Sequence, residues 1–245
     1  SFDTETTGLD VRSATIVGLG LAIRDHHAWY IPFNSDLNKE EILKQLIPFF
    51  ADSKLKFFAQ NAKFDLQILH YAGIEVKNID FDTLVASFIC NPSRQFHDLD
   101  SLSLHYLNYR KISTESLIGK GKKQISMADL PVERVATYCC EDVDITLRLR
   151  NELEAELHRR DLRNLFDEMD IPLIPVLSKM ENNGISINLE TLEKISSDFS
   201  TELKKCEEQI HALAGHEFNI NSPKQVGVVL FEEMGLKAGK KTATG

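Results

Sequence analysis

The sequence predicts an α/β domain followed by a shorter, mainly helical segment. Three observations carry this. Strand-like runs crowd the start of the chain, a strand passes straight into a helix near Asn61, and a helical apolar stripe extends from Val132 to His158. The 245 residues are 42% hydrophobic and 27% charged, a globular balance. That length suits one large domain, or one domain plus part of another.

Phe2-Asp3-Thr4-Glu5-Thr6 reads as the first strand, and its two-residue period puts Asp3 and Glu5 on one face. Two carboxylates a pleat apart repel, and burial raises their pKa values unless a cation compensates. All-oxygen ligation of that kind suits a hard divalent ion such as Mg2+ or Mn2+. Thr15 to Ile23 is predicted as a second strand, Arg24 to His27 as a turn, and Ala28 to Phe33 as a third strand. Such close spacing implies an antiparallel meander.

Asn38 with Glu41 fits a capping box that opens a helix with an apolar stripe from Ile42 to Phe50. Leu55 to Ala59 is then a short buried strand. A helix starting near Phe64 turns Leu66, Ile68, Leu69 and Ala72 inward and stops at Gly73. Asp65 falls in its first turn, just beyond a strand end, where polar sites collect in α/β folds. Val76 to Ile79 is a candidate fifth strand. Asp82 or Thr83 can cap the next helix, and Asp98 or Asp100 one over Leu102 to Leu107.

Gly119 to Gln124 is a basic loop, and its Lys120 is a candidate phosphate contact. In the long helix, Val135, Cys139, Val143 and Leu147 form the buried stripe. Tyr138 and Asp142, four apart, share its rim, while Glu141 and Asp144 point to solvent.

The net charge of -9 excludes attraction of nucleic acid through the overall field. Metals or local basic loops must do that work. The longest apolar run is too short to span a bilayer. A chain that opens on an acidic strand carries no secretory signal in this reading. Four cysteines without paired spacing point to reduced thiols and a cytosolic setting.

Three motifs in order, Phe2 to Thr6, Gln60-Asn61-Ala62-Lys63-Phe64-Asp65 and Tyr138-Cys139-Cys140-Glu141-Asp142, resemble those of the DEDD exonuclease superfamily, tyrosine subtype. The resemblance implies a ribonuclease H-like fold, with a mixed five-stranded sheet and helices on both faces. Ile171 to Leu177, Met180 to Ile185, Phe218 to Gln225 and Lys240 to Gly245 resemble the junction and thumb base of bacterial family A DNA polymerases. The expected division is therefore an exonuclease domain over 1–160 and the truncated start of a polymerase domain over 161–245.

The resemblance implies two Mg2+ or Mn2+ ions. Asp3 would bridge them, Glu5 and Asp142 would hold the inner one, and Asp65 would reach the outer one through water. Tyr138 with Glu5 would orient the attacking water, because a phenol near pKa 10 is a poor base at neutral pH. Thr4, Leu9, Gln60, Asn61, Phe64 and Lys120 would contact the substrate, a single-stranded or frayed DNA 3' end, with Leu9 as a wedge. Other implied partners are the palm, fingers and remaining thumb of the same polymerase. A monomer in the bacterial cytoplasm, at the nucleoid, is expected. Phe96 stands where the family often has a basic residue, and Thr114 where it has an aromatic. The alternatives are a ribonuclease D-like RNA exonuclease and a catalytically silent module.

Overall fold

Strand β1 (Phe2–Thr6) forms one edge of an antiparallel sheet, ordered β1-β2-β3, with β2 (Ile16–Arg24) and β3 (His27–Pro32). The computed structural model describes residues 1–35, 37–237 and 239. The expected meander is present, turning at His26, whose φ is 62°. The Lys240 to Gly245 motif lies outside the described residues.

Helix α1 (Lys39–Ala51) is capped by Asn38, which accepts from the backbone N–H groups of Glu40 and Glu41. The reciprocal half of the capping box is replaced by a bond from Gln45 to the Glu41 carboxylate. Strand β4 (Phe57–Ala59) pairs in parallel with β5 (Ile79–Asp82), and α2 (Ala62–Tyr71) lies between them in sequence. Strand β5 thus lies beyond the expected Val76 to Ile79.

The expected five-stranded sheet is corrected to a three-stranded and a two-stranded one. Among the described residues no ladder joins β1 to β4. Phe2 meets Phe57 edge-on, with ring centroids 6.1 Å apart. The Thr4 N–H, on the edge of β1 away from β2, donates to the Asp65 carboxylate at 2.9 Å instead of to a strand.

Helices α3 (Thr83–Cys90) and α4 (Leu99–Leu107) lead through the short α5 (Thr114–Ile118) to α6 (Val132–Arg159). Helix α6 crosses all three strands of the first sheet, with α3 and α4 packed against it. Its approach depends on Gly20, where a Cβ would lie 2.6 Å from Cys139 Sγ and 2.9 Å from Val143. Gly20 pairs with Asp3 across the sheet, so the side of β1 bearing Asp3 and Glu5 faces α6. On the opposite side Phe2 packs against Phe50 of α1 at 5.4 Å. Helices therefore cover both faces.

The chain divides into two compact units, Ser1–Gly184 and Ile185–Gly245. The first extends past the expected boundary at 160, because apolar side chains beyond it are drawn inward. Phe166 is fully buried with its ring 4.7 Å from Phe81. Glu181, on the helix Ile171–Asn183, bonds Lys63 and Gln67 of α2.

The second unit is mainly a helix, Leu189–Ala214, capped by Asn188 and ended at Gly215 with φ 80°. No residue of this helix is buried. Its amides are expected to exchange with deuterium faster than those of β1, which a hydrogen-exchange time course checks. Equal protection in both would show that the helix has a packing partner. No helix of the described residues is long and apolar enough to cross a membrane.

Candidate active site

A cleft of about 710 Å³ opens beside β1. Asp3, Glu5, Asp65, Tyr138 and Asp142 all line it, along with Thr4, Leu9, Gln60, Phe64 and Thr114. The five catalytic candidates thus come together from three elements. Asp3 and Glu5 come from alternate positions of β1, Asp65 from the first turn of α2, and Tyr138 and Asp142 from one face of α6.

Each acid is positioned by local chemistry. Asp65 Oδ1 accepts from the Thr4 N–H at 2.9 Å and from the Thr4 hydroxyl at 2.5 Å. The start of α2 is held by Asp82, a buried carboxylate from the end of β5. It caps α3 through Leu84 and Val85, and it also accepts from Asn61 and Ala62. Asn61 reaches that contact in the left-handed region, at φ 62°. Asp82, read from sequence as one cap, therefore ties two helices together.

The electrostatics are those of crowded carboxylates. Burial pushes Asp3 up to about 6, against the pull of Lys111 and the Cys139 thiol. Burial pushes Asp142 up to about 8, with Lys111 opposing and Asp3 reinforcing. Glu5 is driven well above the carboxylate range by burial and by Asp3 and Asp142. Asp65 is driven up by burial and Asp3. Glu5 Oε1 is buried and has no hydrogen-bond partner among the described residues. One ligand atom each from Asp3, Glu5 and Cys139 lies within 4.8 Å of the others. The crowded carboxylate oxygens of this group, with Glu5 Oε1 orphaned, suit a hard divalent cation.

Tyr138 is buried, and its hydroxyl shares a 2.7 Å hydrogen bond with Thr114 Oγ1. Burial and the neighbouring Asp142 raise its pKa, so a phenolate base is disfavoured at neutral pH. Thr114, at the position expected to be aromatic, is thus a partner of the tyrosine.

Lys111 escaped the sequence reading. Burial pulls its pKa down, but Asp142 and Asp100 outweigh that and hold it above the ordinary lysine value. No periodic pattern around Lys111 announces a buried ammonium. Glu141, expected in solvent, accepts from Tyr109 Oη at 2.7 Å and from the Ile112 N–H at 2.6 Å. Asp144, also expected there, meets the His26 N–H and Arg148.

The substrate candidates divide. Leu9 is 88% exposed at the cleft wall. The Gln60 amide donates to the His97 carbonyl at 2.8 Å and accepts from the Thr83 hydroxyl. Asn61 and Lys120 are not among the cleft-lining residues, and Lys120 pairs with Glu115 at 3.2 Å. Phe96 is exposed outside the cleft.

Residues 1–158 match the family model described as 3'-5' exonuclease, and residues 189–245 match that of DNA polymerase family A. The chain is similar to DNA polymerase I of Pseudomonas aeruginosa, at 34% identity over all of this chain and 28% of that protein. It is 37% identical to DNA polymerase I of Chloroflexus aurantiacus over 96% of this chain and 26% of that one. It therefore spans about a quarter of the length of these relatives. Among solved structures it resembles the POL domain of Pol1 from M. smegmatis in complex with DNA primer-template and dNTP. That likeness has a TM-score of 0.74 and 25% identity, covering 95% of this chain and 37% of that one. It shares a fold with Brucella melitensis NrnC with bound Mg2+, at TM-score 0.60 and 21% identity over 75% of this chain and 84% of that one.

Proposed function

This chain belongs to the DNA polymerase I family, family A, and carries its 3'-5' exonuclease domain, and from that premise we propose that the acidic cleft hydrolyses the 3'-terminal phosphodiester of DNA and releases nucleoside 5'-monophosphates. The observation that carries this reading is the convergence of Asp3, Glu5, Asp65, Asp142 and Tyr138 on one cleft wall. A silent module has no need of four mutually repelling carboxylates there, since each raises the cost of burying the others.

The donors fit two Mg2+ or Mn2+ ions, because Glu5 Oε1 is buried without a partner and four carboxylates line the same cleft. Asp3, Glu5, Asp65 and Asp142 would hold them. When bound, such ions supply an activated water and stabilise the charge on the phosphate and leaving oxygen. The chain's own residues do the rest. Tyr138, fixed by Thr114, aims its hydroxyl at the attacking water rather than removing a proton. Thr4 holds Asp65 in register with β1. Leu9 and Phe64 offer apolar surface to the terminal base, and a duplex end must fray to reach them.

The partners in this reading are a single-stranded or frayed DNA 3' end and the remainder of a polymerase. The protein acts as a monomer at the bacterial nucleoid. The functional boundary is kept near residue 160, where the exonuclease match ends, although packing carries the first unit to Gly184.

Hydrolysis of a single-stranded DNA oligomer is expected to require Mg2+ or Mn2+ and to stop with chelator. The measurement is product release on a denaturing gel with and without excess EDTA, with an RNA oligomer of the same sequence run beside it. Undiminished cleavage in EDTA would overturn the metal-dependent mechanism. Preferential RNA turnover would replace the proofreading assignment with RNA trimming.

A further inference from the structure

Lys111 does not line the cleft itself, but it is a cation paired with Asp142, which does, and the mechanism above gives it no role. Its side chain is only 2% exposed. The ammonium lies 2.9 Å from Asp142 Oδ1, as an ion pair off the angle of a directed hydrogen bond. It lies 3.0 Å from Asp100 Oδ1, donates to the Ile112 carbonyl at 2.8 Å and sits 4.5 Å from the centre of the Tyr138 ring. An ammonium has three hydrogens, and three oxygens surround this one.

The backbone carrying Lys111 is itself tethered. Tyr109 Oη and the Ile112 N–H both bond to Glu141, the residue before Asp142 on α6. Two residues further on, Thr114 holds the Tyr138 hydroxyl. Residues 109–114 thus form a strap that grips the reactive face of α6 through Glu141, Asp142 and Tyr138. Lys111 is the member of the strap that sets a positive charge against a cleft-lining carboxylate.

We propose that Lys111 is a positioning residue and built-in counter-cation of the acidic cluster: it fixes the orientation of Asp142 and Tyr138, and it weakens divalent-metal binding in the cleft that these two residues line. This rests on the hydrolytic reading of the cleft given above. The physical argument has two parts. A positive charge about 3 Å from a carboxylate oxygen competes with a metal for that oxygen and repels the metal itself. The same charge cancels part of the repulsion among the acids, so the site stays assembled before metal arrives. Such a residue opposes metal affinity while favouring alignment, and the two effects can be measured apart.

The test is Lys111→Met, which keeps the length of the stem and removes the charge. Mn2+ affinity is read by calorimetric titration, and DNA hydrolysis by single turnover at saturating Mn2+. Folding is followed by the fluorescence of Trp29, the one tryptophan. Mn2+ should bind about tenfold more tightly, as expected when a nearby like charge is lost. Hydrolysis at saturation should slow by about ten- to a hundredfold, the scale of sub-ångström misplacement of reacting groups. A merely structural lysine would not tighten metal binding.

Asp100→Asn covers the case in which the methionine variant does not fold, since the Asp100 side chain is about half exposed. It leaves the ammonium in place with one anion fewer, so Mn2+ should bind more weakly, by roughly threefold. A folded Lys111→Met with unchanged or weaker Mn2+ affinity, or with an undiminished rate, overturns the proposal. So does unchanged affinity in Asp100→Asn. If the parent fails to cleave DNA with any metal while the affinities shift as stated, the nuclease reading falls and the role of Lys111 stands. Normal metal-dependent cleavage with unshifted affinities leaves the nuclease reading standing and removes the role of Lys111.

Discussion

Asp3→Asn is expected to slow single-turnover hydrolysis of a single-stranded DNA oligomer by about a thousandfold or more, while the first unit melts no lower than the parent in EDTA. The size follows from what a bound divalent ion contributes, several kcal/mol of charge stabilisation, at a factor of ten for each ~1.4 kcal/mol. Asn keeps the shape and packing of Asp3 but loses the negative charge that holds a cation. Asp3 is a cleaner choice than Asp142, because Asp142 also pairs with Lys111 at 2.9 Å. Removing Asp142 would orphan that ammonium and mix a folding defect with a catalytic one.

Tyr138→Phe sets the lower bracket of the same experiment. It leaves every carboxylate in place and removes only the hydroxyl bonded to Thr114, so a loss of about ten- to a thousandfold is expected, on the scale of acid-base and positioning groups. Mn2+ affinity, read by titration, should change little in this variant and fall sharply in Asp3→Asn. If Asp3→Asn hydrolyses within about tenfold of the parent, Asp3 holds no essential ion and the site has been assigned to the wrong carboxylates.

The residues legible in the sequence are those whose partners lie within a few positions. Asp3 and Glu5 share a face because a strand has a period of two, and Tyr138 and Asp142 do so because four residues make about one helical turn. Asp65 was legible from a strand passing directly into a helix. Lys111 was not, because its two carboxylates come from α4 and α6 and such pairing leaves no local pattern. The double role of Asp82 was hidden in the same way: the N–H groups of Asn61 and Ala62 that it accepts are about twenty residues upstream.

The sheet and the packing boundary of the first unit differ from the expectation for related reasons. Strand β5 has four residues, of which Phe81 and Asp82 are buried, too short a run for periodicity to fix its place. In place of a five-stranded sheet there are two smaller ones, and the Thr4 N–H on the free edge of β1 is taken by a side chain, Asp65. Phe166, Ile171 and Ile174 are apolar in a stretch assigned to a junction, yet they belong to the main core of the first unit. Apolar residues near a boundary announce burial, but not on which side of the boundary it occurs.

Glu5→Gln is expected to raise the metal-free melting temperature of the first unit at pH 8, and to flatten its fall with pH. The parent shows why. Asp3 and Asp142 hold their protons up to about 6 and about 8, chiefly through burial, and Glu5 and Asp65 are also shifted upward. Unfolded carboxylates titrate near 4. The folded state therefore binds protons more tightly than the unfolded one, so the associated stability is fully present below about pH 4 and is lost as pH rises through those folded values. Lys111 is also raised, but its contribution lasts until the alkaline range and does not act in this window. Melting followed by Trp29 fluorescence in EDTA should thus decline between about pH 5 and 8, and Mg2+ should reverse the decline by supplying the missing charge. Glu5 is the acid to remove, because Asp3, Asp142 and Asp65 all press on it and Oε1 has no partner. A gain of at least about 3 °C at pH 8 is expected, the shift that roughly 1 kcal/mol produces in a chain of this size. The same substitution should abolish the response to Mg2+, along with most of the hydrolysis. A Glu5→Gln protein that melts below the parent in EDTA would show that Glu5 is held by a structural partner, and that the cleft was not built around a cation.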